Sequence, residues 1–121
     1  MSEQQLWERY AACWSAPRAE RDPVLAASVD HEVVYRDPSA EVAGLTSLSD
    51  YMDGFRGAFP TGRFVIDRVE CHHERSLAHW RQLDGSGQTK QLGISFARHA
   101  EDGRLREITG FFLDPGAGTE R

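Results

Sequence analysis

The chain has 121 residues, 40% of them hydrophobic and 27% charged, with a formal net charge of −5 at pH 7. That length predicts one domain able to bury a core without staples, and the acidic balance, with Lys90 the single lysine, excludes a phosphate-neutralising surface, so neither nucleic acid nor a membrane is expected as partner. Cys13 and Cys71 stand far apart with no metal-ligand spacing and read as small buried thiols of a reducing compartment; with no basic and apolar leader and no bilayer-length run, a cytoplasmic protein is expected.

Ser2 with Gln5 three residues on is a capping box, and Leu6, Trp7, Tyr10, Ala11, Cys13 and Trp14 recur at helical spacing, predicting a first helix over Ser2 to Ala16 that Pro17 ends. Asp22-Pro23 predicts the start of a short second helix through Val24, Leu25 and Val29, joined to the first by a polar loop from Arg18 to Arg21. Val33-Val34-Tyr35-Arg36-Asp37-Pro38 then reads as a strand that delivers a carboxylate to its end, because Pro38 has no N–H for a ladder and pushes Asp37 toward an extended or turn conformation. Side chains alternate along a strand, so Val33, Tyr35 and Asp37 share one face. If that face is buried, Asp37 lies at the mouth of an apolar compartment with Tyr35 beneath it.

The segment Ser39 to Gly44 reads as an exposed loop. Ser47 and Asp50 signal a third helix whose stripe, Leu48, Tyr51, Met52, Phe55 and Phe59, is either core or the wall of a ligand cavity. From Thr61-Gly62 the pattern becomes strands: Arg63 to His73, Ser76 to Leu83, Gln88 to His99 and Leu105 to Leu113. Turn chemistry at Glu74-Arg75, Asp84-Gly85-Ser86-Gly87 and Ala100-Glu101-Asp102-Gly103 makes them an antiparallel meander. The expected domain spans 1–113, with a disordered tail over 114–121.

Five histidines invite a metal, but no His-x-His occurs and His72 and His73 point to opposite faces of a strand, so no metal site is expected. No Gly-x-Ser-x-Gly elbow is present, and Gly85-Ser86-Gly87 lacks the strand and helix of a phosphate loop. His79, in mid-strand beside Trp80, either faces inward as an acid/base partner of Asp37 or lies on the outer side; parity leaves both open. Tyr10 is likewise either a phenol donor into a cavity or a core aromatic.

The order of elements, together with Tyr35-Arg36-Asp37-Pro38, Gly44, the aromatic third helix, Trp80 and Asp102-Gly103-Arg104-Leu105, resembles the nuclear-transport-factor-2-like superfamily, nearest its SnoaL-like, ketosteroid-isomerase-related branch. The resemblance, from Leu6 to Leu113, implies an α+β fold of cystatin-like type, a conical curved antiparallel-type sheet wrapped around three helices from the N-terminal half. It also implies a deep apolar pocket, commonly in a homodimer. In ketosteroid isomerase a carboxylate base faces an oxyanion hole built from a tyrosine and a protonated aspartic acid. Asp37 resembles the base and Tyr10 the tyrosine, whereas Ser95 stands where the acid is expected, so steroid isomerisation is not.

Two readings follow. The first is an acid/base enzyme of isomerase, cyclase or hydratase/dehydratase type without a cofactor, acting on a small apolar carbonyl compound. Its catalytic residues are Asp37, His79 and Tyr10, and Trp14, Tyr35, Tyr51, Phe55, Ser95 and Phe111 bind the substrate. The second is a non-catalytic ligand-binding, regulatory or assembly module in which Asp37 only caps a turn. Both parities of the late strands are apolar: Leu92, Ile94, Phe96 and Phe111 fall on different sides from some of Trp80, Ile108 and Phe112. That pattern predicts a homodimer through the convex face of the sheet.

Overall fold

The computed structural model describes residues 2–113, so the predicted disordered tail lies outside the described residues. The elements are α1 (Glu3–Cys13), α2 (Arg18–Ser28), β1 (Val29–Asp37), β2 (Ala40–Ala43), α3 (Leu45–Ala58), β3 (Arg63–His72), β4 (Arg75–Leu83), β5 (Thr89–His99) and β6 (Leu105–Leu113). The capping box forms as expected: Gln5 N–H donates to Ser2 Oγ at 3.1 Å, and Ser2 N–H donates to the Gln5 side chain at 3.0 Å. No helix of the described residues is long and apolar enough to cross a membrane.

Tertiary contacts move two boundaries. The stretch Arg18 to Arg21, expected as a loop, is the first turn of α2, with Pro17 at the N-cap position and Pro23 inside the helix. The cause is Arg21, which is fully buried and donates to the carbonyls of Cys13, Ala16 and Ser49, to Ser49 Oγ and to Asp53. A buried guanidinium needs such a complete set of acceptors, and collecting them ties the end of α1 to α2 and α3. Then β1 follows α2 directly, four residues earlier than the apolar run suggests, with Val29 fully buried.

The six strands form one curved, unclosed sheet in the order β2-β1-β6-β5-β4-β3. From β3 to β6 it is the expected antiparallel meander. Two features differ from expectation. The loop after Asp37 is itself a strand, β2, which turns back on β1 with Asp37 opposite Ala40. And β1 runs parallel to β6, so the sheet is mixed. Short turns dictate antiparallel pairing only between consecutive strands; β1 and β6 are joined by most of the chain, and their relative direction was not constrained by it.

The helices fill the concave face, where Leu6, Trp7, Tyr10, Trp14, Leu48 and Met52 pack against Val33, Ile66, Ala78, Ala97 and Ile108. Burying a large apolar side chain contributes about 1.5–3 kcal/mol, so α1, with five of its eleven residues buried, is an integral part of the core. Cys13 is buried as expected, but Cys71 is exposed, because it lies near the far end of β3, where the strand's burial ends.

Candidate functional site

The wide end of the fold encloses a cavity of about 570 Å³, within the range of small-molecule sites. Its wall is aromatic. Trp14 forms the hub, with ring centroids 5.5 Å from Tyr35, 5.8 Å from Tyr51, 5.8 Å from Phe55 and 6.0 Å from Phe64.

Asp37 reaches this cavity from the end of β1. Its Oδ2 accepts from the Tyr35 hydroxyl at 2.7 Å and the Tyr51 hydroxyl at 2.9 Å; Tyr51 also lies 3.1 Å from Oδ1. Oδ1 accepts from the backbone N–H groups of Ser39 at 2.8 Å and Ala40 at 3.0 Å, closing the β1–β2 turn. One oxygen therefore shapes the loop and the other faces two phenols. Burial, with the hydrogen bond to Asp37 as a further cause, pushes the Tyr51 phenol up to about 12. Burial likewise holds Tyr35 and Tyr10 well above the usual phenol range, so all three remain neutral donors near neutral pH. Tyr10 lies in the cavity wall beside Trp14, ring centroids 6.4 Å apart, and makes no hydrogen bond to Asp37.

Across the sheet from Asp37, Gly110 on β6 and Ser95 on β5 continue the same row. A β-carbon at Gly110 would lie 3.3 Å from Ser95 Oγ and 3.8 Å from Asp37 Cβ, so the glycine keeps open the space between carboxylate and hydroxyl. Ser95 Oγ accepts from the Trp80 indole N–H at 3.0 Å. Its own hydrogen has no acceptor among the described residues, which leaves it as a donor toward the cavity. Trp80 is seated by Gly93, where any β-carbon would come within 2.0 Å of the indole ring.

Of the residues expected here, Asp37, Tyr10, Trp14, Tyr35, Tyr51, Phe55 and Ser95 do line one cavity. His79 does not. On β4 it is Ala78, Trp80 and Gln82 that are buried, and His79 faces the other way, its Nε2 3.3 Å from Glu70. Phe111 is also on the outer face, 54% exposed, and its neighbour Phe112 takes the place at the cavity, packed against Trp80. Both corrections have one cause, the period of two along a strand. Gly93, Gly110 and Gln82 were not foreseen; once Trp80 is set inward, Gln82 follows by parity, but glycines advertise no role until their neighbours are known. Among the described residues, no group of three or more His, Cys, Asp or Glu side chains is placed to hold a metal ion.

A structure from Agrobacterium tumefaciens, named as a candidate isomerase of the SnoaL-like family, superposes with a TM-score of 0.85 at 20% identity, covering 91% of this chain and 96% of its own. A protein of unknown function with a cystatin-like fold from Methylobium petroleophilum gives 0.72 at 16% identity, with coverage of 97% and 80%. A candidate ketosteroid isomerase from Kribbella flavida gives 0.68 at 15% identity, with coverage of 97% and 84%. Identities this low speak for the fold alone. No curated protein matches the sequence. The model of the SnoaL-like domain matches residues 7–108, and the chain belongs to that family.

Proposed function

We propose that this protein is a cofactor-independent acid/base enzyme that moves a proton on a small, largely apolar carbonyl compound, in the manner of an isomerase, cyclase or hydratase/dehydratase. The observation that carries the reading is the row Asp37, Gly110, Ser95: a carboxylate and a hydroxyl with a free hydrogen facing one space in an aromatic cavity. A C–H bond next to the carbonyl breaks, its proton passes to the Asp37 carboxylate, and the electron pair moves onto the carbonyl oxygen, where the Ser95 hydroxyl donates to it. The carbonyl then re-forms as the proton returns to the same carbon or, where a double bond conjugated with the enolate extends it, to the far end of that system. The lone pairs of Asp37 are occupied in the free protein, so a ligand must displace one donor. Tyr51 is the one to yield, since it divides itself between both oxygens and sits on α3, whereas Tyr35 is fixed on the same strand as Asp37. Tyr10 contributes a neutral phenol to the wall, and His79 has no part in the chemistry. In a panel of enolisable ketones followed by product formation, Asp37→Asn is expected to lower kcat at least about a hundredfold with little change in KM. Undiminished turnover would remove Asp37 from the mechanism.

The turn-closing bonds from Ser39 and Ala40 to Asp37 favour a second reading, a ligand-binding or regulatory module without chemistry. There Asp37→Asn, which keeps a capping oxygen, leaves ligand affinity intact and there is no turnover to lose.

Association belongs to the same proposal. The outer face of β4, β5 and β6 carries Leu77, Leu92, Ile94, Phe96, Phe111 and Leu113, with Phe96, Phe111 and Leu113 exposed. A homodimer built face to face through this surface would cover it. Sedimentation at micromolar concentration is expected to give twice the chain mass; a single species of 13.6 kDa would overturn the dimer. The free thiols Cys13 and Cys71 suit a reducing, cytoplasmic setting.

A further inference from the structure

The cavity holds a second polar group that the chemistry at Asp37 does not use. Gln82 on β4 lines the cavity at 9% exposure, and neither its side-chain oxygen nor its nitrogen has a hydrogen-bond partner among the described residues. Its polar atoms remain accessible in the cavity, so a ligand that fills the space there must bond the amide in place of solvent. Its cross-strand neighbour Gln91 is no help: the Gln91 amide nitrogen donates to the carbonyls of Leu92 and Leu113. On the other side Gln82 is opposite Phe64, which has nothing to offer an amide.

The position is specific. Asp37 lies in the row of Gly110, Ser95 and Ala78, while Gln82 is four residues further along β4, about 13 Å in the strand direction. Between the two rows stand Trp80, Gly93 and Phe112, an apolar band. The charged side chains in the wall are Asp37 and Asp50, the latter paired with Arg18 at 2.6 Å, and no Lys, Arg or His lines the cavity, so a carboxylate or phosphate finds no cationic partner there. An amide offers one acceptor and two donors, which fits a neutral hydroxyl or carbonyl.

We propose that Gln82 is a specificity-determining residue that binds a neutral hydroxyl or carbonyl at the far end of an elongated, otherwise apolar ligand whose near end lies at Asp37 and Ser95. This rests on the functional reading of Asp37 only for the orientation of the ligand; recognition by Gln82 is a matter of affinity, independent of turnover. A site built to bond a polar group discriminates against the analogue that lacks it more sharply than an apolar wall discriminates between sizes.

The test is a pair of probes, para-acetylbiphenyl with and without a hydroxyl at the opposite para position, titrated by quenching of the tryptophans that line the cavity. The wild-type protein is expected to bind the hydroxylated probe about tenfold more tightly. Gln82→Leu, and Gln82→Met should the first variant fold poorly, is expected to erase that preference while keeping the affinity for the plain probe, which itself reports an intact cavity. Asp37→Asn is expected to keep the preference. Equal affinities in the wild type, or a preference that survives loss of the Gln82 amide, would overturn the proposal. So would a preference abolished by Asp37→Asn, since the hydroxyl would then be sitting at the carboxylate. Loss of turnover at Asp37 with no probe preference would fail this inference and leave the proton-transfer reading standing; the reverse result would do the opposite.

Discussion

Two indole–serine pairs occur in this fold, and they end differently. At one, Trp7, whose ring also borders the cavity, donates to Ser76 Oγ at 2.9 Å, and Ser76 Oγ lies 2.7 Å from His99 Nε2. His99 Nδ1 is 2.8 Å from the Gly103 carbonyl oxygen, which can only accept; in the neutral ring Nδ1 therefore carries the hydrogen and Nε2 accepts from Ser76. In the neutral ring that chain runs from donor to an acceptor the protein itself supplies, beside Glu3 Oε2 at 3.5 Å, a buried oxygen that receives no hydrogen bond. At the wide end Trp80 donates to Ser95 Oγ at 3.0 Å, and the chain stops there, with the serine hydrogen free toward the cavity. The same unit is structural where the protein supplies the final acceptor and available for chemistry where it leaves that acceptor to a ligand.

The comparison breaks most severely at Gly93. A methyl group there collides with the Trp80 ring, whose rigid body cannot swing aside without leaving Ser95. Gly93→Ala is expected to cost about 3 kcal/mol in denaturant unfolding and to abolish ligand binding at the wide end. Wild-type stability in that variant would mean that the indole is not fixed by the glycine. Next come the serines themselves, which should separate stability from function. Ser76→Ala strands the Trp7 N–H and His99 Nε2 in the interior and is expected to cost about 2 kcal/mol with ligand affinity unchanged. Ser95→Ala strands only an N–H that borders the cavity. It is expected to cost about 1 kcal/mol of stability or less but to lower proton-transfer rates about a hundredfold, the usual range for an oxyanion donor. Similar effects of the two substitutions on both measurements would erase the distinction.

Smaller still is a pH effect at the wide end. The Tyr51 phenol holds its proton up to about 12, against an ordinary value of 10.0, chiefly through burial. A phenol that binds its proton more tightly folded than unfolded stabilises the fold fully below the ordinary value, and that contribution is lost as pH rises through the folded one. Tyrosinate absorbance is therefore expected to rise first near pH 12, with no step near 10, and Asp37→Asn should lower the midpoint by removing the carboxylate that holds the phenol proton. The smallest effect belongs to the outer face of β4: His79→Ala removes a solvent-exposed pair with Glu70 and is expected to change stability by less than about 0.5 kcal/mol and leave turnover unaltered.

What was legible in the sequence follows the same division. Periodicity and turn residues revealed the three helices, the late meander and the Asp37 corner, because each is written in local pattern. Arg21 and the start of α2 were not legible, since a charged residue beside a proline reads as a loop until its five acceptors are brought together by folding. The parallel pairing of β1 with β6 depends on chain direction across most of the molecule, and no neighbouring residues encode it. In the site, a single undecided parity separated His79 and Phe111 from Trp80, Gln82 and Phe112. Two-sided apolar strands hide parity, because the alternation that would reveal it is filled in on both faces.

The central claim, that Asp37 takes a proton from a ligand whose oxygen is held at Ser95, is tested most directly by hydrogen–deuterium exchange at the carbon next to the carbonyl of a bound ketone. With para-acetylbiphenyl at saturating concentration in deuterated buffer, followed by proton NMR, the wild-type protein is expected to accelerate loss of the methyl signal over buffer. Asp37→Asn, binding the probe with unchanged affinity, is expected to fall at least about a hundredfold toward the uncatalysed rate. Exchange that proceeds undiminished in Asp37→Asn, or no acceleration by a wild-type protein shown to be saturated with the ketone, would contradict it.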